Sequence, residues 1–110
     1  MQNIITLNVG GISFLTTYTT LNRGFFAGLR KQNLNNYFID RDPTHFRHII
    51  NYLRGTSTFP SQSEELRELA MEANFYCLHE LEVETLRRIP YSSNNNINYF
   101  LSKIVEKLQR

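Results

Sequence analysis

Ten residues, Tyr37 to Phe46, constrain this chain more than any other stretch, because they set a strand, a charged corner and a helix start side by side. Tyr37, Phe38 and Ile39 are aromatic and β-branched, types that fit a pleated, half-buried surface, so a short strand is predicted there. Asp42 then offers a carboxylate to the first unpaired N–H groups of a helix, and Pro43 suits the first helical position, where a missing N–H costs nothing. Phe46, Ile49, Ile50 and Leu53 follow at i, i+3, i+4 and i+7, one apolar helix face that Gly55 ends. Capping accounts for Asp42 and Pro43 and leaves Asp40 and Arg41 without a local task.

The chain before this corner reads as its support. Ile5, Leu7 and Val9 alternate with Thr6 and Asn8, a half-buried strand; Gly10-Gly11 supplies two residues free to adopt positive φ, and Ile12 to Thr17 resumes extended structure. The expected hairpin is not a phosphate loop, which needs a longer glycine spacing leading into a helix, with a lysine in the triphosphate-binding type. Leu21, Phe25, Phe26 and Leu29 predict two short helical pieces separated near Gly24, and Lys31 to Asn36 a loop. Beyond the corner, Ser61-Gln62-Ser63-Glu64 matches a capping box, announcing a helix that buries Leu66, Leu69, Ala70 and Ala73 and turns Glu65, Glu68 and Glu72 to water. Leu78, Leu81, Leu86 and Ile89 indicate a last core helix ending before Pro90. The expected organisation is a domain over 1–90, a polar linker over 91–96 and an amphipathic helix over 97–110, whose apolar stripe is Phe100, Leu101, Ile104, Val105 and Leu108.

Composition enters through charge and cysteine. From Arg23 to Arg54 six Lys/Arg face two Asp, whereas from Glu64 to Glu84 seven Glu face one Arg. Each run is either a solvated face or half of a complementary pair, and the second reading suits head-to-tail association between copies. The lone Cys77 excludes an internal disulfide and a multi-thiolate zinc site, and fits a reducing, cytoplasmic setting. No apolar run approaches the roughly 20 residues that span a bilayer, and Met1 to Asn8 has no basic leader, so a soluble chain without membrane contact is expected.

Chemistry finds no foothold. His45 and His48 stand three apart on one helix without a third ligand at a supporting spacing, so they read as surface histidines, and no metal is expected. Cys77 reads as a buried thiol after Phe75-Tyr76, and His79 as no partner for it. Arg41 between Asp40 and Asp42 holds both carboxylates ionised, the opposite of what acid catalysis needs. The basic residues are scattered and carry no stacking motif, which argues against nucleic acid. No catalytic residue and no cofactor are expected.

Taken together, Leu7-Asn8-Val9-Gly10-Gly11, Thr20-Leu21, Phe38-Ile39-Asp40-Arg41-Asp42-Pro43 with Phe46, Ile49, Tyr52 and Leu53, and Glu72-Ala73-Asn74-Phe75-Tyr76 with Leu78 resemble the potassium-channel tetramerisation branch of the BTB/POZ family, over about Asn3 to Ile89. The resemblance implies an α/β (α+β) fold, a small, mainly N-terminal sheet packed on a cluster of helices, that self-associates into homotetramers or homopentamers. It places Asn8, Gly10 and Gly11 at the hairpin and Asp40, Arg41 and Asp42 near the contact between subunits. Soluble members of the family often act as adaptors recruiting a cullin ubiquitin-ligase scaffold, whereas channel members set subunit matching ahead of membrane helices. Asp42 stands where channels more often carry asparagine, and no cysteines follow His79 as they do in the zinc-binding channel subset. The expectation is therefore a non-enzymatic homo-oligomerising module of the soluble type and a candidate cullin adaptor, the alternative being the cytoplasmic assembly domain of a voltage-gated potassium channel. Exposed anchors for a partner are expected at Phe26, Leu29, Leu34 and Tyr37, apolar residues around a polar loop.

Overall fold

A computed structural model describes residues 4–90 of the chain, so the expected linker at 91–96 and helix at 97–110 lie outside the described residues. The chain divides into two compact units, Met1–Thr58 and Phe59–Arg110. Three strands and four α-helices among the described residues make the mixed α/β fold that the sequence predicts.

In the N-terminal unit, strands β1 (Ile4–Val9), β2 (Ile12–Thr17) and β3 (Asn36–Ile39) form one sheet in the order β2-β1-β3. β1 runs antiparallel to β2, with Val9 opposite Ile12, and parallel to β3, with Thr6 opposite Asn36. The period-2 alternation of β1 buries Ile5, Leu7 and Val9 completely. Gly10 (φ +56°) and Gly11 (φ +104°) turn the hairpin in the left-handed region that the two-residue connection demands. Between β2 and β3 come a 3₁₀ turn at Tyr18–Thr20 and α1 (Gly24–Arg30), matching the two helical pieces expected around Gly24.

The helix after the corner, α2 (Phe46–Leu53), buries Phe46, Ile49, Ile50 and Leu53, the face that its spacing predicts. The Phe46 ring stacks at an angle against Phe14 of β2 at 4.9 Å and against Phe26 of α1 at 6.0 Å, so one aromatic cluster joins sheet and helices. Two expectations about α2 are corrected. The helix begins at Phe46, not at Pro43, and its first turn receives no side-chain cap from Asp42. His45 is 7% exposed and so not a surface residue. His48 Nδ1 is hydrogen-bonded to the Thr58 hydroxyl at 2.8 Å, and the Asn51 amide donates to the same hydroxyl at 3.1 Å, tying the end of the unit to α2.

In the C-terminal unit, α3 (Ser63–Phe75) and α4 (His79–Arg87) bury Leu66, Ala70, Val83, Leu86 and Ile89 in one cluster closed by Phe59. The Arg88 guanidinium lies 3.8 Å over the Phe59 ring. The capping box is displaced: the residue before α3 is Gln62, no side chain caps it, and Ser61 stands outside the helix. The end of α3 is a Schellman-type stop in which the Leu78 N–H donates to the Ala73 carbonyl at 2.9 Å. Cys77 occupies its left-handed position (φ +58°) and is exposed, which corrects the expectation of a buried thiol: the backbone needed there turns the side chain to solvent. The buried Glu82 carboxylate accepts from the Asn74 amide at 3.1 and 3.2 Å, and His79 Nδ1 lies 3.5 Å from it, so α4 is pinned to the end of α3 by a satisfied polar group.

Candidate functional site

The hairpin and the charged corner meet at one end of the sheet. The Asn8 side-chain oxygen accepts the Gly11 N–H at 2.8 Å, which fixes the turn from inside the strand that precedes it. The Gly10 N–H donates to the Ile39 carbonyl at 3.0 Å as the last rung between β1 and β3, and the Arg41 N–H reaches the same oxygen at 2.9 Å. The second bond closes a three-residue turn with Asp40 at its apex, so the chain leaves β3 sharply and Asp40 is thrown into solvent. A Cβ at Gly10 would collide with the Arg41 carbonyl oxygen and press on Pro43 Cδ at 3.2 Å, whereas one at Gly11 would meet nothing. Gly10 is thus the contact point between hairpin and corner, and its missing side chain lets the two backbones touch.

Past this contact the corner is ordered by Asp42. Its carboxylate accepts the Thr44 N–H at 2.8 Å and the Thr44 hydroxyl as well. These two bonds, the hydroxyl first, hold the carboxyl below the usual carboxylate range. The Pro43 carbonyl accepts the Phe46 N–H at 3.0 Å, giving one turn of chain ahead of α2. Asn8, Gly10, Gly11, Asp40, Arg41 and Asp42, six residues from two segments about thirty positions apart in sequence, therefore share one surface; Asp40 and Asp42 are exposed, Asn8 and Arg41 half-buried.

The four apolar partner anchors do not share one. Phe26 is fully buried, edge-on to Phe25 at 5.5 Å and within the Phe46 cluster, and Tyr37 is 6% exposed, so neither stands out as expected. Helical spacing carried Phe26 inward, and β3 alternation did the same for Tyr37 while spending its hydroxyl on the Leu34 N–H at 3.0 Å. Leu29 is half-buried, and only Leu34 of the four, 49% exposed, is fully presented. The Tyr18 hydroxyl donates to the Asn33 side chain at 2.9 Å and lies 3.1 Å from the Leu34 carbonyl; desolvation, then the neighbouring Tyr37, push its pKa up.

Sequence reasoning missed the outward face of the sheet. Ile4, Leu15 and Phe38 are exposed large apolar residues on strands whose other face is core. For Phe38 the signal was parity: with Tyr37 and Ile39 inward, the residue between them points out. Among the described residues no group of three or more His, Cys, Asp or Glu could hold a metal ion, and no helix is long and apolar enough to cross a membrane.

This architecture, a three-stranded sheet whose hairpin packs on a charged corner leading into helices, matches the BTB/POZ domain over residues 5–86. The chain belongs to the BTB/POZ family, in the potassium-channel tetramerisation branch that the motifs pointed to, a family of protein-interaction domains that self-associate and are generally not enzymes. It is 35% identical to an uncharacterised protein of Dictyostelium discoideum over 94% of this chain and 15% of that protein. It is 37% identical to the FH protein interacting protein FIP2 of Arabidopsis thaliana, over 71% of this chain and 30% of the relative. It is also 36% identical to the human BTB/POZ domain-containing protein KCTD21, over 76% of this chain and 39% of the relative. The chain thus spans well under half the length of each of these relatives.

Proposed function

We propose that this chain is a cytoplasmic, homo-oligomerising module of the KCTD-like type that works by binding and carries out no catalysis, and that Asn8, Gly10, Gly11, Asp40, Arg41 and Asp42 face a neighbouring copy in a ring of four or five. The observation that carries this reading is the Gly10 contact, which gathers hairpin and corner into one charged surface. Asp42 is spent locally on Thr44, but Asp40 stands at the apex of its turn with its carboxylate in solvent. A ring needs two different surfaces on each copy, one complementary to the other. The basic stretch Arg23 to Arg54 and the acidic stretch Glu64 to Glu84 provide them. The lone thiol, Cys77, is free and exposed, which suits a reducing compartment.

Native mass spectrometry of the full chain tests the reading: four or five copies are expected, and a strict monomer at micromolar concentration overturns it. Arg41→Glu is expected to weaken assembly more than it lowers the melting temperature; equal loss of both makes Arg41 an ordinary support within the chain.

The finer role is that of an adaptor that brings a cullin scaffold to substrates held elsewhere. It rests on the resemblance to soluble members and on Leu34 as the apolar anchor left on the surface. A pull-down with purified cullin that captures the wild type and not Leu34→Asp supports the role, and no capture of the wild type removes it while leaving oligomerisation intact.

A further inference from the structure

We propose that the outward face of the sheet is a docking surface for a second copy of this chain, and that the part of the second copy seated there is the outward stripe of its α3. This rests on the homo-oligomeric reading and adds the surfaces that meet.

The sheet face follows from register. Ile5, Leu7 and Val9 point inward, so Ile4, Thr6 and Asn8 point outward; Thr6 pairs with Leu15 and Asn8 with Phe38, which puts both apolar residues on the same outward face. A sheet with one covered face ordinarily alternates apolar inside with polar outside. Here Ile4, Leu15 and Phe38 are 54%, 60% and 66% exposed. One edge carries a cation: Arg54 reaches round the edge of β2 to donate to the Leu15 carbonyl at 2.5 Å, whereas at the corner after Phe38 half-buried Arg41 stands between the exposed carboxylates of Asp40 and Asp42.

The α3 stripe follows from helical geometry. With Leu66, Leu69, Ala70 and Ala73 buried, Glu64, Glu68, Met71 and Phe75 recur at i, i+4, i+7 and i+11 and share one exposed line. Met71 is 64% and Phe75 39% exposed. The stripe is thus acidic in its first half and apolar in its second, with no Lys or Arg on the line itself. Apolar residues with Arg54 at one edge answer apolar residues with an anionic end on the other surface.

Charge selects the occupant. Among the described residues the N-terminal unit carries six Lys/Arg against two Asp, and the C-terminal unit seven Glu against three Arg. A second copy therefore brings the sign that each surface lacks, whereas like surfaces of two copies would repel. Because the two surfaces differ, the contact is heterologous and repeats from copy to copy.

Heterologous contacts can be tested by mixing. Phe38→Glu spoils the sheet face and leaves α3 intact; Met71→Lys spoils the stripe and leaves the sheet face intact. On the full chain, each variant is expected to keep the wild-type circular dichroism and melting temperature and to weaken assembly at least tenfold, as loss of an apolar anchor does. Mixed together, the two variants retain one good contact and are expected to give a 1:1 heterodimer by native mass spectrometry. Should Phe38→Glu lose its native spectrum, Leu15→Glu takes its place in the mixture. Variants that assemble like the wild type, or a mixture that stays monomeric, overturn this pairing while the oligomeric wild type keeps the broader reading. A wild type that is itself monomeric removes both.

Discussion

The two units of this chain reach stability by different routes. In the N-terminal unit the sheet joins residues far apart in sequence, Thr6 to Asn36 and Val9 to Ile39, and the joint works only because Gly10 has no side chain. In the C-terminal unit two helices follow one another through a three-residue turn, and most of what forms them is local. Non-local pairing pays loop-closure entropy before it is rewarded, so it depends on a few positions being right. Local helices spread the same stabilisation over many residues. The difference predicts that damage in the first unit is concentrated and damage in the second is graded.

Gly10→Val is expected to break the comparison most sharply. It adds a left-handed non-glycine residue and a clash with backbone, together about 4 kcal/mol by urea denaturation at fixed concentration. Gly11→Ala, one position on and in open space, should cost only about 1 kcal/mol, although its φ is also positive. Equal losses at the two positions mean that the corner does not depend on Gly10.

In the second unit Asn74→Ala removes the amide that serves both oxygens of buried Glu82, and about 2 kcal/mol of stability is expected to go with it. Adding Glu82→Leu to that variant should recover part of the loss, because the stranded carboxylate is then gone. No recovery means that Glu82 matters for something besides its local bonds.

A gain is expected in the first unit. The Thr16 hydroxyl is buried on β2 and has no hydrogen-bond partner, so Thr16→Val should raise stability by about 1 kcal/mol. A loss instead means that the hydroxyl finds a partner within the core.

Asp42 gives the smallest effect. Its carboxyl is depressed in the folded chain by Thr44, so its contribution is present above the ordinary carboxylate pKa of about 4 and is lost as pH falls through the lower folded value. Asp42→Asn should flatten the acid limb of the stability profile below about pH 4 and change little at pH 7. Because the group is exposed, solvent screens it and the change is small.

What the sequence determined by itself was periodic. β1 with its inward Ile5, Leu7 and Val9, the Gly10-Gly11 hairpin, the buried face of α2 and the apolar side of α3 follow from spacings of two and of three to four residues. The six residues of the candidate surface were named through the resemblance to the family and not through spacing, and their meeting was not legible, since no local rule says that the chain at Arg41 returns to Gly10. Helix starts shifted through local competition: Asp42 bonds Thr44 two residues on instead of capping α2, and α3 begins two residues past Ser61. Burial was misjudged at positions where local period was the better guide: helical spacing took Phe26 inside and strand alternation took Tyr37 inside, whereas Cys77 came out because the end of α3 required a left-handed residue there. Local hydrogen bonding and side-chain period act within a few residues and are written in the chain; which surface is left uncovered depends on every segment at once, and although parity turns Phe38 outward, only the pairing of β2 and β3 with β1 puts it on one face with Leu15.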